Sequence, residues 1–92
     1  MSNINLDPNF WGPSGWKFLH SIAEGYPEQP DEEHKRSATN FYSSLRSLLP
    51  CSRCCDHCCA KLESDPVEPH VESRDALVKW VFDFHNQVNE RL

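Results

Sequence analysis

Proline breaks and the apolar periodicity between them divide this 92-residue chain into four segments of helical length. The breaks fall at residues 25–30, at Pro50 and at residues 65–69. Alternating patterns typical of β-strands are essentially absent, and there is no internal repeat. Because amphipathic helices joined by short connections pack as antiparallel neighbours, the sequence predicts an all-α fold, a four-helix bundle.

Capping signals bound the first two predicted helices. Pro13 suits a first helical turn, and Gly25 with the following Tyr-Pro ends that helix. Asp31 can cap the second helix ahead of two glutamates, and the apolar stripe then runs to about Leu49. The stripes consist of Trp16, Leu19, His20, Ile22 and Ala23 in the first helix, and of Ala38, Phe41, Tyr42, Leu45, Leu48 and Leu49 in the second.

The third helix is short and carries all five cysteines. Pro50 can start it, and it reaches Leu62 before the Pro-rich stretch. Ser73 can cap a fourth helix that has Asp75 in its first turn. We predict an N-terminal extension over residues 1–10 and one domain over residues 11–92. The apolar face of the fourth helix consists of Ala76, Leu77, Trp80, Val81, Phe84, Val88 and Leu92.

Size and charge exclude several function classes. A chain this short buries only about 60–65% of its unfolded surface, so a cofactor, a disulfide or a second subunit would help it to fold. The net charge of −5 argues against nucleic-acid binding, which needs clustered Lys and Arg. No apolar run approaches a membrane span, and the first ten residues lack the features of a signal peptide. We therefore expect a soluble intracellular protein.

Cys51-Ser52-Arg53-Cys54 is the strongest chemical signal in the chain. The two thiols lie one helical turn apart directly after Pro50, where free backbone N–H groups stabilise a thiolate at Cys51. Arg53 adds positive charge, and Cys54 can resolve a mixed disulfide into an intramolecular one. The motif alone leaves redox chemistry as open as its two alternatives taken together, which are half of a zinc site and a pair of buried small residues.

The neighbouring Cys55, His57, Cys58 and Cys59 supply further soft ligands for a metal. Structural zinc sites generally take two ligand pairs from segments separated by a loop. A nine-residue helical run instead points its side chains around the helix rather than at one point. We therefore predict no metal site.

Several motifs together resemble the Erv/ALR family of FAD-dependent sulfhydryl oxidases. They are the Trp11-to-Trp16 opening, Tyr26-Pro27, the run Leu49-Pro50-Cys51-x-x-Cys54-x-x-His57, and Trp80 followed by His85-Asn86-Gln87-Val88-Asn89. The resemblance covers residues 11–92, and the Leu-Pro-Cys opening is similar to that of short viral members. It implies the family's helical bundle and leaves open whether that family's short fifth helix is present.

The resemblance implies a reaction and its partners. Cys51 and Cys54 would form the redox-active disulfide, with Cys51 exposed to protein dithiol substrates and Cys54 nearer the isoalloxazine ring of FAD. Electrons would pass through FAD to oxygen as acceptor, giving hydrogen peroxide. A homodimer is expected, with helices one and two as its interface. The compartment would be the mitochondrial intermembrane space or, for a viral protein, the host cytoplasm or the virion.

The resemblance also implies which residues contact FAD. Besides Cys54 these are Gly12, Trp16, His20 and Tyr26 from the first helix and its end, His57 near the flavin, Trp80, His85, Asn86, Val88 and Asn89 on the adenine and ribose side, and Arg91 near the diphosphate.

The chain departs from the family pattern near its C-terminus. Phe82 occupies the place of a cysteine that in longer relatives joins the fourth helix to a C-terminal segment. We therefore expect that disulfide to be absent. The family's C-terminal tail also contributes contacts to FAD, so we expect either a reduced FAD affinity or a longer natural chain. Cys55, Cys58 and Cys59 are not explained by the resemblance. The alternative hypothesis is a non-enzymatic helical adaptor or Cys-rich metal-binding module.

Overall fold

The computed structural model describes residues 4–91, the side chain of Arg91 excepted. Over that range the chain forms four α-helices and no strand: α1 Pro8–Glu24, α2 Glu32–Leu48, α3 Ser52–Ser64 and α4 Arg74–Arg91. A single 3-10 turn, Glu68–His70, lies between α3 and α4. The helices pack chiefly in two pairs, α1 against α4 and α2 against α3. The all-α bundle is confirmed.

The first helix begins earlier than the sequence analysis predicted. Asp7 is its N-cap, and the Asp7 carboxylate accepts from the backbone N–H of Asn9 at 2.9 Å. Pro8 takes the first helical position, where its missing N–H costs nothing. Pro13 therefore lies inside α1. The predicted start at Pro13 was wrong because an Asp-Pro pair five residues earlier is the stronger capping signal.

The other helix starts follow the predicted caps. The Asp31 carboxylate accepts from the N–H of His34 at 2.8 Å at the start of α2. The Ser73 hydroxyl accepts from the N–H of Ala76 at 3.2 Å, one residue before α4 begins. The α3 helix starts after Cys51 and extends two residues beyond the predicted Leu62.

Large side chains from α2 and α4 form the centre of the core. Trp80, Leu77, Val81 and Tyr42 are fully buried. The Tyr42 hydroxyl donates to the carbonyl of Leu19 at 2.8 Å and so joins α2 to α1. Every buried side-chain nitrogen or oxygen in the described part of the chain has a hydrogen-bond partner. None of the four described helices is both long and apolar enough to span a bilayer.

A buried lysine joins the end of α3 to α4. The Lys61 side chain is 1% exposed, its Nζ lies 3.0 Å from the Asp65 carboxylate, and it sits 5.3 Å from the centre of the Trp80 ring. Asp65 also binds His70 Nε2 at 2.7 Å, and its carbonyl accepts from Trp80 Nε1 at 2.8 Å. Burial opposes the ionised carboxyl, but the hydrogen bonds from Lys61 and His70 lower the pKa of Asp65 overall.

We expect Asp65→Asn to lower the free energy of unfolding by about 1–2 kcal/mol. Breaking a buried pair costs about 3–5 kcal/mol, and solvent reduces that here because the Asp65 side chain is 36% exposed. The measurement is urea unfolding. The double variant Lys61→Met/Asp65→Asn, which leaves no unpaired charge, should recover part of the loss.

The same pair predicts the response to acid. Because the folded-state pKa of Asp65 is below the ordinary value of about 3.9, its contribution is present above that value and is lost as pH falls through the lower folded pKa. The stability difference between wild type and Asp65→Asn should therefore shrink below about pH 4. An unchanged difference from pH 7 to pH 3 would contradict this account.

Candidate redox and cofactor site

An open cavity of about 1760 Å³ lies beside α1, the start of α3 and the C-terminal half of α4. Small-molecule pockets usually measure about 300–1,000 Å³, so this one admits a ligand the size of a dinucleotide. Segments far apart in sequence meet here because α1 pairs with α4 and the α2–α3 connection borders the same space. The cavity brings together these predicted site residues: Gly12, Trp16, His20, Cys51, Cys54, His57, His85, Val88 and Asn89.

Stacked rings from α1 and α4 form one wall of the cavity. The Trp16 and His85 rings are 4.1 Å apart and nearly parallel, and Phe84 meets Trp16 edge-on at 5.0 Å. His20 Nε2 lies 3.0 Å from His85 Nδ1, so one imidazole donates and the other accepts. Burial, and then the nearby His20, lower the pKa of His85. The lowered pKa favours the neutral His85 imidazole, so Trp16, Phe84 and His85 form an aromatic surface with His20 at its polar edge.

The start of α3 positions the two thiols of the Cys-x-x-Cys motif. Cys51 is the N-cap, with the extended backbone typical of that position. Its Sγ accepts a hydrogen bond from the backbone N–H of Cys54 at 3.3 Å. Pro50 precedes it, and the Cys51 N–H donates across that proline to the carbonyl of Leu49 at 2.8 Å. The sulfur of Cys51 is thus fixed over the first turn of α3.

This geometry makes the two thiols chemically unequal. A hydrogen bond from the Cys54 thiol, then the Cys54 N–H and the nearby Arg53, lower the pKa of Cys51. Burial raises the pKa of Cys54 to about 12, and the neighbouring Cys51 adds to that rise. Both are free thiols in this structure. Of the two thiols, Cys51 therefore loses its proton more readily, and Cys54 holds its proton more tightly.

The other three cysteines continue along the side of α3 that begins with Cys51 and Cys54. The five cysteines are not spread around the helix. They share one side of it, because their spacings of three and four residues match the helical period. Burial raises the pKa of the fully buried Cys58 to about 12. Within residues 4–90 no three His, Cys, Asp or Glu side chains converge to hold a metal ion. The metal-binding alternative gains no support from this arrangement.

Three predicted cofactor contacts lie away from the cavity lining. Tyr26 is buried, and its hydroxyl donates to the Val71 carbonyl at 2.7 Å. Trp80 is fully buried, and its Nε1 donates to the Asp65 carbonyl. Asn86 is exposed on α4 outside the lining. The predicted diphosphate contact, the Arg91 side chain, lies outside the described residues. The placement of the first three gives no support to their assignment as FAD contacts.

Some of the lining was not identified as site from the sequence. Phe41 and Leu45 of α2 and Phe84 of α4 border the cavity, although their helical spacing assigned them to the core. An apolar stripe has the same period whether it faces protein or a ligand. Closeness in sequence to predicted site residues could have distinguished these lining residues from core residues. Leu45 is six residues before Cys51, and Phe84 directly precedes His85.

Comparisons with known proteins show the family of the chain. A sequence profile of the Erv1 / Alr family matches residues 13–92. The chain is 42% identical over 85 residues to a protein of Acanthamoeba polyphaga mimivirus named as a probable FAD-linked sulfhydryl oxidase. That match covers 91% of this chain and 59% of the viral protein, so the chain spans less than two thirds of that relative.

Solved structures of a yeast relative have the same fold. The crystal structure of the yeast Erv1 core superposes with a TM-score of 0.86 at 30% identity and covers 99% of this chain and 76% of the yeast chain. The FAD binding domain of Erv1 from Saccharomyces cerevisiae gives a TM-score of 0.84 at 33% identity, covering 95% of this chain and 81% of the other. The chain belongs to the Erv1/Alr family.

Proposed function

We propose that this chain is an FAD-linked sulfhydryl oxidase that forms disulfides in protein dithiols and passes the electrons to oxygen. The observation that carries the proposal is the unequal thiol pair at the wall of a cavity large enough for a dinucleotide. The names of the viral and yeast relatives support the same activity and cofactor.

The residues around the cavity fit FAD. Trp16 and His85 offer stacked ring faces for a planar group, and Phe84 extends the apolar wall. Asn89 and the His20–His85 pair supply hydrogen-bonding groups for the polar part of a nucleotide. Cys54 and His57 border the end of the cavity formed by α3. We therefore propose that the flavin lies at the α3 end and the adenine nearer α4.

The thiol chemistry follows from the unequal acidities. With Cys51 and Cys54 joined as a disulfide, a substrate thiolate attacks the Cys51 sulfur, and the S–S bond breaks toward Cys54. A second substrate thiolate attacks the substrate sulfur of this mixed disulfide and releases Cys51 as a thiolate. The lowered pKa makes Cys51 the better leaving group in that step. The products are a substrate disulfide and the Cys51/Cys54 dithiol.

Reoxidation of the pair needs an electron acceptor beside Cys54. Bound FAD would supply it by taking two electrons and transferring them to oxygen, which gives hydrogen peroxide. The chain's own contribution is to hold Cys54 in a desolvated position, where a negative charge on sulfur is unfavourable. Re-forming the disulfide joins the Cys51 thiolate to the Cys54 sulfur, which releases the Cys54 proton and passes two electrons to an acceptor in the cavity.

We also propose that the protein acts as a homodimer. Phe10 and Phe18 on α1 and Leu48 on α2 are 64%, 62% and 71% exposed. Large apolar side chains exposed on two helices are typical of a surface that another chain covers. The α1 and α2 helices are therefore the proposed interface.

Replacing Cys54 by serine tests the redox pair. We expect dithiothreitol-driven oxygen consumption to fall at least about 100-fold, because the resolving thiol and electron donor is lost. The matched control is Cys59→Ser on the same helix, which lies outside the cavity lining and should keep the rate within about twofold. A similar loss of oxygen consumption in both variants, or a loss in neither, would count against the assignment. A folded, colourless sample that cannot bind added FAD would overturn the cofactor.

The acidity difference predicts site-selective alkylation of the reduced protein. Iodoacetamide should modify Cys51 well before Cys54, because only the thiolate reacts and the pKa of Cys54 is about 12. The Cys51 rate should rise with pH and level off above its lowered pKa, while the Cys54 rate should still be rising at pH 10. Peptide mass spectrometry at several pH values measures both rates. Equal rates, or faster reaction at Cys54, would contradict the proposed order.

The cofactor contact on α4 is tested by His85→Ala. Losing the ring stacked on Trp16 and hydrogen-bonded to His20 should weaken FAD binding by about 3–10-fold, the amount that one aromatic contact contributes. Titration of flavin fluorescence measures the dissociation constant. His34→Ala is the control, since His34 is exposed on α2 outside the cavity. Unchanged affinity in His85→Ala would place the cofactor elsewhere.

A further inference from the structure

Two of the unexplained cysteines lie against the end of α2. The Cys55 thiol donates to the carbonyl of Leu49 at 3.3 Å, and the Cys59 thiol lies 3.8 Å from the carbonyl of Arg46. The last carbonyls of a helix have no partner within the helix. For Arg46 the missing donor is residue 50, which is proline and has no N–H. The Cys59 thiol thus takes the place of the absent backbone donor to Arg46.

The carbonyl that accepts from Cys55 also accepts from Cys51. The Leu49 carbonyl accepts from two groups, the Cys55 thiol and the backbone N–H of Cys51 at 2.8 Å. Cys55 in turn donates its own N–H to the carbonyl of Cys51 at 3.0 Å. Cys55 therefore holds the turn at Pro50 from one side and the N-cap residue from the other.

We propose that Cys55 is a positioning residue whose S–H, donated to the Leu49 carbonyl, fixes the Leu49-Pro50-Cys51 turn and so holds the Cys51 sulfur in place for thiol–disulfide exchange with substrate. This rests on the proposed role of Cys51 as the sulfur that exchanges with substrate thiols. Cys55 acts in it as a hydrogen-bond donor and takes no part in electron transfer.

Helix geometry argues against the other use of these cysteines, a second disulfide that relays electrons. Residues three or four apart in a helix have Cβ atoms about 5–6 Å apart, whereas a disulfide needs about 3.8 Å. Cys55, Cys58 and Cys59 lie inside α3, so closing a bond from Cys55 to Cys58 or to Cys59 requires the helix to deform. Cys51 differs because its extended N-cap backbone leaves its side chain free of the helical geometry.

The test compares variants that differ in one donor. Cys55→Ser keeps a hydroxyl donor and Cys55→Ala removes it. We expect Cys55→Ala to lower the rate of Cys51 alkylation at pH 7 about threefold, as the plateau of its pH profile moves to higher pH. Cys55→Ser should keep the wild-type profile. The rates are measured on the reduced protein by iodoacetamide labelling and peptide mass spectrometry, which needs no turnover.

Cys59→Ala is the matched control. It removes a thiol that donates to a carbonyl at the end of α2, and this thiol lies one turn of α3 farther from Cys51. It should lower the urea midpoint and leave the alkylation profile of Cys51 unchanged. If Cys55→Ala does not fold, Cys55→Val and Cys55→Thr make the same comparison between nearly isosteric side chains with and without a hydroxyl.

Two results would overturn the proposal. Equal shifts in the serine and alanine variants would mean that the sulfur itself is needed, as in a relay. No shift in either would mean that the contact does not position Cys51. Failure of the proposed function is distinguishable, because it would appear as an unreactive Cys51 in the wild-type protein, before any change at Cys55.

Discussion

The hydrogen bond from the Cys54 amide to the Cys51 sulfur is the contact on which the proposed chemistry depends. It caps α3 and stabilises negative charge on the same sulfur. Cysteine is not among the residues that cap helices best, so the chain gives up some stability at this position to place a thiolate there. Pro50 makes the arrangement possible, because it ends α2 and leaves the turn that holds Cys51 in an extended conformation.

The bundle adds an open cavity beside the second thiol. Pairing of α1 with α4 stacks Trp16 on His85, and pairing of α2 with α3 brings the Cys-x-x-Cys turn to the same cavity. At the other end of α3, Lys61 and Asp65 fix that helix to α4 beneath Trp80. The core is thin, and these polar contacts between helices therefore carry much of the geometry of the site.

Local signals predicted most of the fold. The caps at Asp31 and Ser73 and the break at Pro50 act through neighbouring backbone atoms, which sequence shows directly. The start of α1 was missed because Pro13 matches the pattern of a first turn as well as Pro8 does. The capping side chain of Asp7 places the start of the helix at Pro8, and Pro13 lies within the helix.

The candidate site was predictable only in part, because burial depends on contacts between distant segments. Tyr26 and Trp80 carry polar groups that a nucleotide could use, but here those groups bind backbone carbonyls of Val71 and Asp65. Phe41 and Phe84 follow an ordinary core stripe and yet line the cavity. The donor role proposed for Cys55 depends on a carbonyl six residues earlier, in a turn whose geometry no spacing rule describes.

Anaerobic titration of the FAD-loaded protein with a dithiol, followed by visible absorption, tests the central claim most directly. We expect the flavin absorbance to be lost as dithiol is added and to return when air is admitted, because we propose that the thiol pair and the cofactor share one cavity. A flavin spectrum that the dithiol leaves unchanged, in a protein whose Cys51 still reacts with iodoacetamide, would contradict it.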